Sequence, residues 1–333
     1  MSRDGERRGR RATIYDVASA AGVSYATVSR VLNGSHNVSA AARTAVERAM
    51  AGTGFVPNYH ARRLAGARPD TVAFLHCADS DRLFADPNIN TLLLDCTRAL
   101  GDHGIMLVVP VGPAEVTGKQ AGHLFEAALV FSARESSGAV ADLVERRLPL
   151  VTCAAPLGHE RSVAYVTGDD RDGARQMVAY LRSRGHRRIA TVTGPMDLSH
   201  GIDRLAGYRD AVGTFDPVLV AHGDYSYESG LAATERLLRQ APDMDAVFVA
   251  SDMMAAGALA ALERAGRRVP QDVAVAGFDD GPVATTTRPQ LTTVRVPWPR
   301  IADELVRQLL RRMDGDGPSG VLLPVELAIR ASA

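Results

Sequence analysis

The chain has 333 residues, 46% hydrophobic and 23% charged, a balance that suits two or three globular domains. It has no run near the ~18 apolar residues of a membrane span, and the Arg-rich residues 1–11 lack the apolar stretch of a secretory signal. Three scattered cysteines, Cys77, Cys96 and Cys153, form neither a disulfide framework nor a zinc site. A cytoplasmic protein without membrane contact is expected.

Net charge is zero but unevenly spread. Residues 1–68 hold eleven arginines against four acids, a net of +7, which leaves −7 on the rest. A basic head on an acidic body predicts that the head meets a polyanion and the body does not.

The first periodic segment is Thr13 to Gly22. Thr13 and Asp16 have the spacing of an N-cap and its N3 partner, Ile14, Val17, Ala18 and Ala21 share one helical face, and Gly22 stops the helix. Ser24 then caps a second helix over 25–32, with Val28, Val31 and Leu32 inward and Tyr25, Ala26, Ser29 and Arg30 outward. A third runs from the Ser39 cap to about Ala51, with Val46, Ala49 and Met50 inward. Two short helices joined by a tight turn make a helix-turn-helix, and an exposed polar face carrying arginine suits the major groove of DNA. Residues 57–68 are too short for a stable isolated helix, and Arg62, Arg63 and Arg68 repel one another.

From Thr71 onward the pattern changes. Continuous apolar runs at 72–75, 105–109, 127–131, 150–152, 189–192, 246–249 and 273–276 predict strands buried on both faces, hence parallel sheets. Helical stretches at 91–102, 172–184, 229–240, 254–265 and 301–313 alternate with them, so the body is α/β. Such sheets bind ligands beyond the carboxyl ends of their strands. Ser199 to Arg204, Asp252, and Asp279 with Asp280 fall at such ends and predict a pocket.

Enzyme signatures are missing. Residues 112–120 contain a Gly-Lys pair without P-loop spacing, and G-x-G-x-x-G, H-E-x-x-H and G-x-S-x-G do not occur. The nine histidines are scattered and are expected in core or surface roles. No catalytic residue, cofactor or metal is expected. A stand-alone binding protein for uptake is the rival reading, but it has no use for residues 1–66.

The run Ile14-Tyr15-Asp16-Val17-Ala18, then Gly22 through Asn33, then Gly54-Phe55-Val56-Pro57-Asn58 with Ala61, Leu64 and Ala65, closely resembles the lactose/galactose repressor family of bacterial regulators. Weaker resemblance continues to about Arg330. The resemblance implies a DNA-binding domain over 1–56 and a hinge helix over 57–68 that folds on DNA, with Leu64 wedged into a minor-groove step. It implies a periplasmic-binding-protein-like body over 69–333, with an N-subdomain (about 69–168 and 295–319) and a C-subdomain (about 169–294 and 320–333). Three crossovers are expected near 167–170, 291–296 and 318–321.

Together these readings nominate Thr13, Tyr25, Ala26, Thr27, Ser29, Arg30, Asn33, Asn37, Ser39, Asn58, Ala61 and Leu64 as DNA contacts. Arg204, Tyr225, Ser251, Asp252 and Asp279 are nominated to hold a small-molecule effector. By resemblance, Arg204 clamps sugar hydroxyls, Tyr225 packs on the sugar face and Asp279 is an acidic contact. Ser251 and Cys153 stand where the family often carries Asn and Asp. The expected protein is a repressor that binds double-stranded palindromic operator DNA as a homodimer and is switched by a sugar-like metabolite. The chain finishes at Ile329-Arg330-Ala331-Ser332-Ala333 without a heptad tail, so a dimer is expected over a tetramer.

Overall fold

A computed structural model of the chain describes residues 12–32, 37–55, 71–77, 83, 85–112, 124–134 and 138–333. The nominated Asn33, Asn58, Ala61 and Leu64, with the expected hinge helix, lie outside the described residues. The chain divides into two compact units, residues 1–69 and 70–333.

In the first unit, α1 (Ile14–Ala21) opens on the expected cap. Thr13 Oγ1 accepts from the Asp16 amide, and Asp16 accepts back from the Thr13 amide at 2.7 Å. The helix stops at Gly22, whose φ of 65° suits glycine. Helix α2 (Tyr25–Leu32) starts one residue after Ser24, whose hydroxyl accepts from the Thr27 amide. Helix α3 (Ala40–Thr53) is capped by Ser39 and closed by Gly54. Val17, Ala18, Val28, Val31, Val46 and Ala49 form the small core, with Ile14, Leu32 and Met50 packed against it.

The second unit holds two parallel sheets. The first contains β1 (Thr71–His76), β2 (Met106–Val108), β3 (Ala128–Phe131), β4 (Leu150–Cys153), β5 (Ala164–Gly168) and β11 (Gly320–Leu323). Their order is β11-β5-β4-β3-β1-β2. Helix α4 (Pro87–Gly101) packs against α11 (Trp298–Met313), which also covers β4 and β5; α5 (Ala139–Glu145) follows β3. The second sheet contains β6 (Ile189–Thr193), β7 (Val220–His222), β8 (Ala246–Val249) and β9 (Ala274–Ala276) in the order β7-β6-β8-β9. Its helices are α6 (Asp170–Ser183), α7 (Ser199–Val212), α8 (Tyr227–Gln240), α9 (Asp252–Arg264) and the short α10 (Pro282–Thr286).

Each of the seven expected apolar runs forms a strand of these sheets. The chain passes from the first sheet to the second between β5 and α6. It returns between β10 (Thr293–Arg295) and α11, and crosses again between β11 and β12 (Glu326–Ala328), which pairs antiparallel with β10. The third crossing therefore lies at Pro324 and Val325, not at 318–321. Residues 320–323 belong to the first sheet because Gly320 to Leu323 pair in register with Tyr165 to Gly168.

Helices α8 and α9 lie backbone against backbone. A Cβ at Gly257 would sit 2.2 Å from the Tyr227 carbonyl oxygen, and one at Gly230 would sit 2.2 Å from that of Met254. Gly257→Ala must push the pair apart, at a cost of about 1–3 kcal/mol. A fall of roughly 2–10 °C in thermal midpoint is expected. Gly52→Ala, in open space on α3, serves as the control and leaves the midpoint unchanged or higher.

Candidate functional site

In the first unit, Tyr25, Ala26 and Arg30 are exposed on one side of α2, while Val28 and Val31 on the other enter the core. Thr27 and Ser29 are half-buried beside them, and the Thr27 hydroxyl bonds that of Ser24 at 2.9 Å. Asn37 and Ser39 are exposed at the start of α3, and Thr13 is tied into the α1 cap. The sequence reading left out Tyr15, which is 68% exposed and stacks on Tyr25 with ring centroids 5.2 Å apart. Its signal was an aromatic on the polar side of α1. The result is a surface with two rings, a guanidinium and short hydroxyl side chains.

In the second unit, a narrow cleft opens where the strands of both sheets end. Asp86 and Asn88 come from the start of α4 and Phe131 and Ser132 from the end of β3. Arg204 comes from α7, Tyr225 follows β7, Ser251 follows β8, Asp279 follows β9, and Trp298 opens α11. Every lining segment is thus set by a strand end or a helix start, as expected of parallel sheets.

Arg204 is the centre of the cleft. It is 4% exposed, and its Nε donates to Asp170 Oδ1 at 2.7 Å. One Nη donates to the Ala250 carbonyl at 2.6 Å and lies 3.1 Å from Asp279 Oδ1. The guanidinium carbon lies 3.7 Å from the Phe278 ring centroid, a cation–π arrangement strengthened by burial. Asp170 also accepts from His200 Nδ1 at 2.6 Å. Asn88 reaches across from the first sheet to donate to Asp279 Oδ2 at 3.1 Å.

Two carboxyl groups compete for one guanidinium. Burial pushes Asp170 up, but Arg204 and His200 outweigh it and hold the carboxyl below the usual range. Burial likewise pushes Asp279 up; Arg204 opposes this, while Asp252, Asp86 and Asp170 add to it, and the net direction is upward. The difference is physical: Asp170 receives donors from Arg204, His200 and the Thr167 hydroxyl, and so keeps its charge. Ser132, Tyr225 and Asp279 all adopt left-handed φ angles, of 53°, 74° and 110°. Backbone strain of this kind persists where the surroundings over-determine it, often at binding sites.

Four of the five nominated effector residues line this cleft: Arg204, Tyr225, Ser251 and Asp279. Ser251 also caps α9. Asp252 is the exception. Its Oδ1 accepts from the Thr293 hydroxyl at 2.6 Å and its Oδ2 from the Gly281 amide at 3.0 Å. It braces the 279–281 loop against β10. Sequence reasoning missed Asp86, Asn88 and Trp298, as well as Asp170 behind Arg204. His200 fell inside the Ser199–Arg204 segment expected at the pocket but was given no role of its own, and Trp298 sits at a crossing whose side of the cleft no local pattern reveals. The three cysteines are buried free thiols, and burial raises Cys96 to about 12.

Two family models match the chain: bacterial regulatory proteins of the lacI family over residues 13–58, and a periplasmic binding protein-like domain over 178–333. The transcriptional regulator CelR of Thermobifida fusca is 42% identical, covering 98% of this chain and 99% of its own. The chain belongs to the LacI family of bacterial transcriptional regulators. Its relatives in that family are regulators, not enzymes. Among solved structures, a CelR–cellobiose complex is similar at a TM-score of 0.77 and 39% identity, covering 97% of this chain and all of that one. The Lac repressor dimer bound to operator and the anti-inducer ONPF is similar at a TM-score of 0.81 and 29% identity, covering 97% and 99%.

The buried triad makes a pH prediction for this LacI-family chain. Asp170 is held below its usual value, so its contribution to stability is present above about pH 4 and is lost as pH falls through and below that point. The thermal midpoint of wild type should therefore drop on acidification between about pH 5 and pH 2. Asp170→Asn should show a shallower drop over the same window, measured by circular dichroism. An equally steep drop would remove Asp170 from the acid limb.

Proposed function

We propose that this LacI-family regulator is a cytoplasmic repressor that binds a palindromic operator as a homodimer and is switched by a sugar in the body cleft. The observation that carries the effector reading is the lining itself. A buried Arg204–Asp279 pair, Asn88 and Ser251 supply hydroxyl partners, and Trp298, Phe131 and Tyr225 supply apolar ring faces. A pyranose has the same division, with hydroxyls at its rim and C–H groups on its faces. Cellobiose, the sugar in the CelR complex, is the first candidate.

Tyr25, Ala26 and Arg30 are the proposed readers of base edges, with Thr27 and Ser29 beside them. Thr13, Asn37 and Ser39 lie near helix starts, where phosphate contacts are made. Asn33, Asn58, Ala61 and the Leu64 wedge are proposed on the family resemblance. No helix among the described residues is long and apolar enough to cross a membrane.

The switch needs differential binding. A sugar changes operator affinity only if it binds the DNA-competent and incompetent arrangements unequally. Among the described side chains, two contacts span the cleft: Asn88 to Asp279, and Arg134 to Asp197 at 2.6 and 2.7 Å. Both report the angle between the two sheets. A coupling of about 1–3 kcal/mol shifts operator affinity roughly 5–150-fold.

Selection of bound DNA from a random library tests the first half of the reading. A palindromic site is expected, since two-fold protein symmetry is mirrored in the operator, and recovery of lone asymmetric half-sites would contradict the dimer. On the selected site, Arg30→Ala is expected to lose about 1–3 kcal/mol of sequence discrimination, read by competition binding. Titration of the operator complex with cellobiose and other disaccharides tests the second half. Trp298→Ala, which removes a buried ring worth about 1.5–3 kcal/mol, should raise the sugar concentration needed for the response roughly 10–100-fold. A Trp298→Ala protein that responds at wild-type concentrations would show that the effector sits elsewhere.

A further inference from the structure

The charges around the cleft are arranged against an anion. Asp86 and Asp279 line the cleft, and Asp170 lies directly behind Arg204, bonded to its Nε at 2.7 Å. Arg204 is already committed to Asp170 and Asp279. The neighbouring guanidinium of Arg134 is held by both oxygens of Asp197. Neither cation has charge to spare for a ligand.

Helix N-termini attract anions, and α4, α7, α9 and α11 all begin at the cleft. Two of these ends are already served by the protein. Asp86 caps α4 with its own carboxylate, and Asp252 lies in the first turn of α9. Helix α7 has no side-chain cap, but His200 in its first turn is bonded to Asp170. A phosphate there would face a carboxylate without gaining a free cation.

The polar atoms that do lack partners are neutral. Among the described residues, Tyr225 Oη and Trp298 Nε1 are buried side-chain atoms of the cleft with no hydrogen-bond partner, and Trp298 is only 8% exposed. An indole N–H and a phenol are suited to hydroxyl oxygens. Buried polar groups of this kind are costly unless something bonds them.

We infer that the cleft selects an uncharged, hydroxyl-rich effector and excludes the phosphorylated form of the same sugar, because it offers a dianion no unmatched cation and sets Asp86 at the start of α4 against it. This rests on the sugar reading above. A phosphate dianion would lose its hydration in a pocket where like charges are poorly screened and the cations found there among the described residues, Arg204 and Arg134, are already paired. The regulator therefore senses a sugar that reaches it free, supplied by glycoside hydrolysis or by transport without group transfer. A sugar phosphorylated on entry does not register.

Calorimetric titration of the full chain with paired probes tests this: cellobiose against cellobiose 6′-phosphate, and glucose against glucose 6-phosphate. In whichever pair binds, the neutral member is expected to bind at least 100-fold more tightly. Asp86→Asn, which retains a good cap for α4, should reduce that ratio at least five-fold, with an unchanged circular dichroism spectrum. A phosphorylated probe that binds as tightly as its neutral partner overturns the exclusion and leaves the sugar reading standing. A ratio unmoved by Asp86→Asn overturns the role given to Asp86. If no member of either pair binds, the sugar reading and the inference fall together.

Discussion

One guanidinium shared between two buried carboxyl groups holds the body cleft together. Arg204 bonds Asp170 at the start of α6 and Asp279 after β9, and its guanidinium carbon lies over the Phe278 ring. Its commitments join residues that are 34 and 75 positions away along the chain. A buried charge of this kind is tolerable only when its partners are complete. Removing one carboxyl therefore does more than delete a contact: it leaves the rest of the cluster with charge it cannot place. That dependence explains why the positions around Arg204 are built so tightly. Asp170 is fixed by His200 and Thr167, and Asp279 by Asn88 from the opposite sheet.

Much of this architecture was legible in the sequence. The capping pair Thr13 and Asp16, the stop at Gly22 and the Val28/Val31 face of α2 are local signals, and local interactions carried them into the structure. All seven apolar runs became strands; six are buried on both faces and so show no polar alternation, while β2, at the edge of the first sheet, leaves Met106 exposed. What escaped was short or non-local. Strands β5, β7, β10, β11 and β12 are three to five residues long, and all but β7 lie beside or between crossings. Helix α7 was read only as a polar strand-end segment. Gly201 and Gly207 dilute its apolar face, and they are there because neighbouring backbone comes within 2.1 Å of where a Cβ would sit.

The cleft was legible in part for the same reason. Residues placed after a recognisable strand, such as Arg204, Ser251 and Asp279, could be assigned to a strand end from sequence. Trp298 and Asn88 enter from helices whose starts were placed three and four residues too late. Asp252 obeyed the same strand-end logic as Asp279, yet its side chain turned inward to Thr293 and Gly281. Position along the chain gives the end of the sheet; it does not give the direction a side chain takes once there.

The pairing of β11 with β5 has a consequence for the order in which the protein can be made. The second sheet, β6 to β9, is drawn from one continuous stretch, and it can close on its own helices as soon as residue 276 is available. The first sheet cannot. Its edge strand and its covering helix α11 come from residues 298–323, more than 120 positions after β5. On the ribosome, the first sheet is therefore begun first yet waits for residues that follow all four strands of the second. Until then β5 presents an unpaired edge, and the α4 face that α11 later covers stays bare. Exposed edges and apolar faces of this kind invite association between chains, so the nascent protein is most in need of a chaperone while residues 169–323 are being made.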